Sequence, residues 1–223
     1  MAKTVGAITI GQSGRADIIP EMSEISGRGI EFIEAGALDG FSFHQIEQLK
    51  PTEGEHTLIT RLKDGRAVKV ARERIIPLVQ ACIDKLTRQG IDLLTILCTG
   101  HFPPFETSRL IIYPSKLLHY TVEALSPLRK LGIIVPLPEQ IESTRERWLS
   151  QGREVVIQSA SPYGDAERLR EAAQQLSALG VELIILDCMG FDRRMKQIVL
   201  EETNRPALLP RSLLAQCIGE LLA

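Results

Sequence analysis

No stretch of this sequence stays apolar long enough to cross a bilayer. Nor does it open on a leader-like pattern: MAKTVGAITIG runs straight into a strand-like segment. Charge of one sign is lacking too. Lys and Arg number 26 against 28 Asp and Glu, a formal net charge of −2, with no basic cluster to form a face for nucleic acid or anionic lipid. Aromatic residues make up 4%, too few for platforms that stack bases. Cysteine is scarce: Cys82, Cys98, Cys188 and Cys217 show neither a CxxC pair nor a secreted disulfide spacing. That argues against a ribbon or finger zinc site, and no metal is expected. The Gly11-Gln12-Ser13-Gly14 turn matches neither GxxxxGK[ST] nor GxGxxG. The expectation is a cytoplasmic protein with no nucleic-acid and no membrane partner.

What is present is a strand and helix rhythm. With 223 residues, 44% of them hydrophobic, the chain is comfortable as two compact domains. Residues 4–10 form an apolar, β-branched run closed by Gly11, as a buried parallel strand does. Further strands are expected at 29–35, 91–97, 131–135, 154–158, 181–186 and 207–209. Helices are expected at 18–25, 42–49, 72–88, 115–126, 139–149, 165–179, 192–202 and 212–222, with Asp165 as an N-cap. Alternation of this kind means parallel sheets flanked by helices. One segment breaks it. Residues 57–62 and 66–70 alternate apolar and polar around Lys63-Asp64-Gly65, which signals a β-hairpin, either inserted or extending a sheet edge. Pro103 and Pro104 forbid an immediate regular helix after the strand at 91–97.

Two stretches align without gaps. Gly90-Ile-Asp-Leu-Leu-Thr-Ile-Leu-Cys98-Thr-Gly100 matches Gly180-Val-Glu-Leu-Ile-Ile-Leu-Asp-Cys188-Met-Gly190 at an offset of 188 − 98 = 90. A second pair places Gly6 against Gly132, an offset of 126. Buried strands are commonly rich in Val, Ile and Leu, but here Gly, an acid, Cys and Gly coincide as well. The pattern is that of a duplicated α/β unit. Ligands of open parallel sheets bind beyond the C-terminal strand ends, so Cys98 and Cys188 would face one cleft.

Two thiols on opposite sides of a carbon acid can invert it without a cofactor. One takes the proton, the other returns one to the opposite face. Contacts of about 3–3.5 Å on each side put the sulfurs roughly 6–8 Å apart. At a reference pKa of about 8.5 only a small fraction is thiolate at neutral pH, so activation is needed. A helix N-terminus contributes about 0.3–1 kcal/mol, less than the roughly 2 kcal/mol that lowers a thiol to about 7. A cation is therefore expected as well: Arg193 and Arg194 follow Cys188, and His101 follows Cys98. Cys82 and Cys217, on apolar helix faces, read as packing residues. Donors for a small acidic ligand are expected from Gln12, Ser13, Arg15, Thr99, Gly100 and His101 in the first half. Ser161, Tyr163, Met189 and Gly190 line the second, with loop glycines letting backbone N–H groups approach an anion.

The opening ITIGQ, the hairpin, the strand to Cys98-Thr99, Ile133–Pro136 and, most specifically, Leu186-Asp187-Cys188-Met189-Gly190-Phe191 resemble the AroM family. That family in turn resembles the aspartate/glutamate/hydantoin racemase superfamily. The resemblance implies two pseudo-symmetric α/β domains, a cysteine from each, and cofactor-independent racemase, isomerase or decarboxylase chemistry. It implies a first domain of residues 1–115 with the hairpin at about 57–70, completed by 208–223, and a second of 116–207. The last strand and helix would thus return to the first domain. Amino-acid racemases usually follow the first cysteine with Asn-Thr and the second with Thr-His or Thr-Glu. Here Thr99-Gly100 and Met189-Gly190 stand instead, and Met189 has no donor for a carboxylate, which argues against glutamate or aspartate as substrate. Three functions fit: a racemase or isomerase with Cys98 and Cys188 as acid and base, a small-ligand-binding or regulatory protein, and a lyase or hydrolase using Cys188 alone. The expected partner is a small carboxylate or carbonyl compound, with a homodimer an option.

Overall fold

The computed structural model describes residues 2–149 and 152–222. It divides into two compact units, Met1–Leu117 with Leu214–Ala223, and Leu118–Leu213. Met1 and Ala223, at the ends of the expected first domain, lie outside the described residues. No described helix is long and apolar enough to cross a membrane.

The first unit holds β1 (Lys3–Thr9), α1 (Ile19–Ser26), β2 (Ile30–Gly36), α2 (Phe43–Glu47), β3 (Thr57–Arg61), β4 (Ala67–Ala71), α3 (Arg72–Arg88), β5 (Leu93–Ile96) and β6 (Leu110–Ile112). Its parallel sheet runs β2-β1-β5-β6. The apolar stripe Ile75, Val79, Ile83 and Leu86 of α3 closes over Ile8, Leu94 and Ile96. From the C-terminal helix α8 (Pro210–Leu222), Gly219 lies so close to Ser26 that a Cβ there would stand 2.7 Å from the Ser26 carbonyl oxygen.

The second unit holds the end of α4 (Pro114–Glu123), then β7 (Lys130–Val135), a 3-10 turn (Pro138–Gln140), α5 (Ile141–Trp148), β8 (Glu154–Ser159), α6 (Ala166–Ala178), β9 (Leu183–Leu186), α7 (Arg193–Thr203) and β10 (Ala207–Leu208). Its sheet runs β10-β9-β7-β8, again parallel. Both faces are covered, as an all-parallel sheet requires. Ile134, Ile184 and Leu186 pack with α6 and α7 residues. Leu131, Ile133, Leu183 and Ile185 pack with Leu118, Val122 and Trp148. Asp165 caps α6, accepting from the Glu167 N–H.

The duplication extends to atomic detail. In chain order each sheet reads second, first, third, fourth strand. Gly6 pairs with Leu94, and Gly132 with Ile184, so the offsets 132 − 6 = 126 and 184 − 94 = 90 meet in one register. A Cβ on Gly6 would meet Leu94, Leu86 and Ile91; one on Gly132 would meet Ile184, Leu176 and Val181, the same three places. Asp92 accepts from the Thr4 N–H and Glu182 from the Lys130 N–H, tying each third strand to its first. This coincidence of residue, register and hydrogen bond is what duplication produces.

One open alternative is settled and two expectations change. The hairpin β3–β4 does not extend the parallel sheet; it is a separate two-stranded sheet whose Leu58, Leu62, Val68 and Val70 join the first core. The last strand does not return to the first unit. β10 pairs with β9 because the second sheet needs a fourth strand equivalent to β6, and only the chain from Leu214 onward rejoins the first unit. Finally, β6 was not foreseen. Three residues, with Leu110 75% exposed, carry too little apolar signal at a sheet edge.

Candidate active site

In a sheet of this order the connections change direction between the first and third strands, and the crevice beyond their C-terminal ends takes ligands. In the first unit that point lies between β1 and β5, in the second between β7 and β9. Cys98 and Cys188 each stand two residues past the third strand. Each is half-buried. Each sulfur accepts a backbone N–H from two residues on, Gly100 to Cys98 at 3.3 Å and Gly190 to Cys188 at 3.3 Å. The other two cysteines differ in kind. Burial pushes the Cys82 thiol up to about 11, and burial raises that of Cys217 as well.

In the first unit, the hairpin lies over the strand ends. A Cβ on Gly11 would stand 2.3 Å from Thr60 Oγ1 and 2.5 Å from the Arg61 carbonyl oxygen. A Cβ on Gly100 would stand 3.0 Å from Leu58 Cδ2 and 3.3 Å from Cys98 Sγ, so Leu58 and the thiol flank the same glycine. Gln12 clips the hairpin turn, its Oε1 accepting from the Lys63 N–H at 2.9 Å. Thr99 is buried and His101 exposed.

The loop after β1 was expected to offer its donors to a ligand anion; in the structure they hold the protein's own carboxylates. Ser13 N–H donates to Asp39 at 2.8 Å. Gly14 N–H and Arg15 N–H donate to Glu34 at 2.9 and 2.7 Å. The buried Arg15 guanidinium grips Asp17 through two bonds of 2.9 Å and donates to Thr9 Oγ1 at 3.0 Å. Burial pushes the Asp39 carboxyl up, but hydrogen bonds from Ser13 and Gly36, with Lys63 nearby, outweigh it and hold it below its ordinary value. A Gly/Ser turn and an Arg read as a ligand cradle from sequence alone; Asp39 and Glu34, 26 and 19–20 residues away, answer the backbone N–H groups, and Asp17, two residues on, answers the guanidinium.

In the second unit, the loop after β8 comes to the Cys188 loop. A Cβ on Gly190 would stand 2.8 Å from both Pro162 Cγ and the Tyr163 hydroxyl oxygen. Ser161 Oγ accepts from the Tyr163 N–H at 3.2 Å and shapes that loop. The structure thus brings Cys188, Gly190, Ser161 and Tyr163 together. Met189 is buried, and its carbonyl accepts from Arg211. Helix α7 begins five residues after Cys188, capped by Asp192 on the Met195 N–H at 2.8 Å. No helix directly follows Cys98; residues 97–109 reach β6 as an extended loop, held by Phe105 N–H on the Tyr113 hydroxyl at 2.9 Å.

Two buried charges went unnoticed in the sequence. Asp187, 5% exposed beside Cys188, pairs with Arg147. Arg211, 1% exposed, donates to the carbonyls of Met189 and Gly190. Asp187 adjoins Cys188 in the chain, but its partner Arg147 lies 40 residues away. Arg211 lies 21–22 residues from the carbonyls it holds, and its only signal was an Arg between Pro210 and a run of apolar helix. Among the described residues no group of three or more His, Cys, Asp and Glu is placed to hold a metal ion.

A family model described as AroM protein matches residues 5–222. A comparison with curated protein sequences gave no match. Among solved structures, an aspartate racemase of Picrophilus torridus superposes with a TM-score of 0.65 at 14% identity, over 99% of this chain and 94% of that one. A liganded variant of arylmalonate decarboxylase does so with 0.65 at 13%, over 99% and 92%. A glutamate racemase of Francisella tularensis in complex with D-glutamate does so with 0.63 at 14%, over 99% and 81%. Likeness at such identities is likeness of fold.

Proposed function

Since the chain belongs to the AroM family and carries the racemase-like fold, we propose that it is a cofactor-independent racemase or isomerase of a small carboxylate or carbonyl compound. Cys98 and Cys188 serve as its acid and base. One observation carries this reading. Both thiols occupy the same place in a duplicated unit, past the third strand at the crevice position, with the same N–H on each sulfur. A packing cysteine has no reason to be copied with its hydrogen bond, whereas a pair of equivalent bases suits a reaction that runs both ways.

In this reaction one thiolate removes the proton from the carbon next to the carboxylate or carbonyl, and the electron pair delocalises into that group. The other thiol delivers its proton to the opposite face. The roles are then exchanged, so the enzyme returns to a state equivalent to its start by proton exchange with water.

The test is proton exchange in deuterated water, with both enantiomers of candidate acids followed by NMR and chiral chromatography. Wild-type protein should exchange and invert. Cys98→Ser and Cys188→Ser should each lower inversion by about 10²–10⁴-fold, each keeping exchange of one enantiomer, the opposite one in each case. Exchange of both enantiomers that survives Cys98→Ser and vanishes with Cys188→Ser points to single-thiol chemistry instead. Candidates that bind and raise the melting temperature without exchanging overturn catalysis in favour of ligand binding.

A further inference from the structure

Two thiols in equivalent places need not be equivalent chemically, and the buried Arg211 distinguishes them. Its Nε and Nη2 donate to the Met189 carbonyl at 3.1 and 2.7 Å, and Nη2 also to the Gly190 carbonyl at 3.1 Å. A trans peptide is planar, with its C=O and N–H pointing opposite ways. The Met189 carbonyl and the Gly190 N–H belong to one such plane. When Arg211 pulls that carbonyl to one side, the N–H is turned to the other, where it meets Cys188 Sγ at 3.3 Å. One rigid peptide thus stands between a guanidinium and a sulfur. The cation also polarises the peptide, strengthening the N–H as a donor. A stronger donor favours the charged form of the group that accepts from it.

The first unit has a different residue at this point. Ile111 pairs with Leu94 and Ala207 with Ile184, so the fourth strands correspond at an offset of 207 − 111 = 96. That offset carries Pro114 onto Pro210, the first residues of α4 and α8, and Ser115 onto Arg211. A serine hydroxyl is neither charged nor long enough to act as the guanidinium does.

We propose that Arg211 is a positioning residue that acts through the Met189–Gly190 peptide to make Cys188 the resting thiolate, leaving Cys98 as the protonated partner. This rests on the acid and base roles given above to the two cysteines, and it assigns which is which. Cys188 takes the proton first, and Cys98 delivers one.

The experiment is alkylation of the whole protein by iodoacetamide over a pH series, read separately for the Cys98 and Cys188 peptides by mass spectrometry. In the wild-type protein the Cys188 profile should reach its midpoint about one pH unit below that of Cys98, a tenfold difference in ionisation worth about 1.4 kcal/mol. Arg211→Met should move the Cys188 midpoint up by about the same unit and leave the Cys98 midpoint in place. Arg211→Lys, which keeps the charge and can hold one carbonyl, should recover part of the shift. A wild-type profile in which Cys98 ionises first overturns the proposal without any variant. So does an Arg211 variant with native circular dichroism and an unmoved Cys188 profile. If Arg211→Met fails to fold, Arg211→Lys and the wild-type order decide. No substrate is involved, so expected profiles without proton exchange would sink the racemase reading alone, and exchange with the wrong order of ionisation would sink this one alone.

Discussion

Over Gly100 in the first unit lies Leu58 of the hairpin; over Gly190 in the second lie Pro162 and Tyr163 of the loop after β8. The sheets beneath agree in strand order, in register and in the N–H on each sulfur. What differs is everything added at the strand ends. One thiol sits beside an apolar side chain from an inserted hairpin and is followed by an extended loop. The other sits beside a tyrosine-bearing loop, with a helix following and a buried guanidinium behind its peptide. A duplicated scaffold preserves what register demands, while loops diverge at small energetic cost because they carry no ladder hydrogen bonds.

The largest effect is expected at Gly11, where a new Cβ would meet the Arg61 carbonyl at 2.5 Å and backbone cannot swing aside. Gly11→Ala should lower stability by about 3 kcal/mol by lifting the hairpin. Its counterpart in role, Gly190→Ala, meets the Tyr163 and Pro162 rings at 2.8 Å, and rings can shift, so about 1–2 kcal/mol is expected. Urea unfolding of both variants measures this; equal losses would mean the two covers are equally rigid.

A smaller contrast is expected inside the repeat. Gly6→Ala would press on Leu94 at 2.6 Å, whereas the nearest atom to a Cβ at Gly132 is 3.1 Å away. Losses of about 2 and about 1 kcal/mol follow for the two alanine variants. A larger loss at Gly132 would show that the second core is the tighter one.

The smallest effect tests what the units share. Hydrogen bonds from the Thr4 N–H and hydroxyl hold the Asp92 carboxyl below its ordinary value of 3.8. Hydrogen bonds from the Lys130 and Arg129 N–H groups hold Glu182 below 4.5. A carboxyl depressed by folding stabilises the protein above its ordinary value, and that contribution is lost as pH falls through the folded value. Asp92→Asn and Glu182→Gln should therefore each flatten the fall in melting temperature between about pH 5 and 2, to a similar extent. A flattening confined to one variant would mean the two tethers are not equivalent.

The four-strand repeat was half legible in the sequence. Gly6 with Gly132 and Cys98 with Cys188 stand out because a glycine under packed leucines and a cysteine past a strand tolerate few substitutes. The correspondence of the second and fourth strands escaped notice because edge strands vary. The offset of 96 that links Pro114 to Pro210 appears only once β6 and β10 are seen in place. The partners of the loop after β1 were hidden for a related reason: Gly14 and Arg15 announce unsatisfied donors, but their acceptor Glu34 lies on another strand.

By itself the sequence determined the alternation of strands and helices, the hairpin and the doubled Cys-x-Gly, since each follows from local periodicity or from residues adjacent in the chain. Tertiary structure alone decided that the hairpin covers the first crevice position, that Glu34 and Asp39 take the N–H groups of the first loop, and that Arg211 backs the peptide at Cys188. These are contacts between distant segments, and a charged or polar group does not reveal in sequence which buried partner will satisfy it.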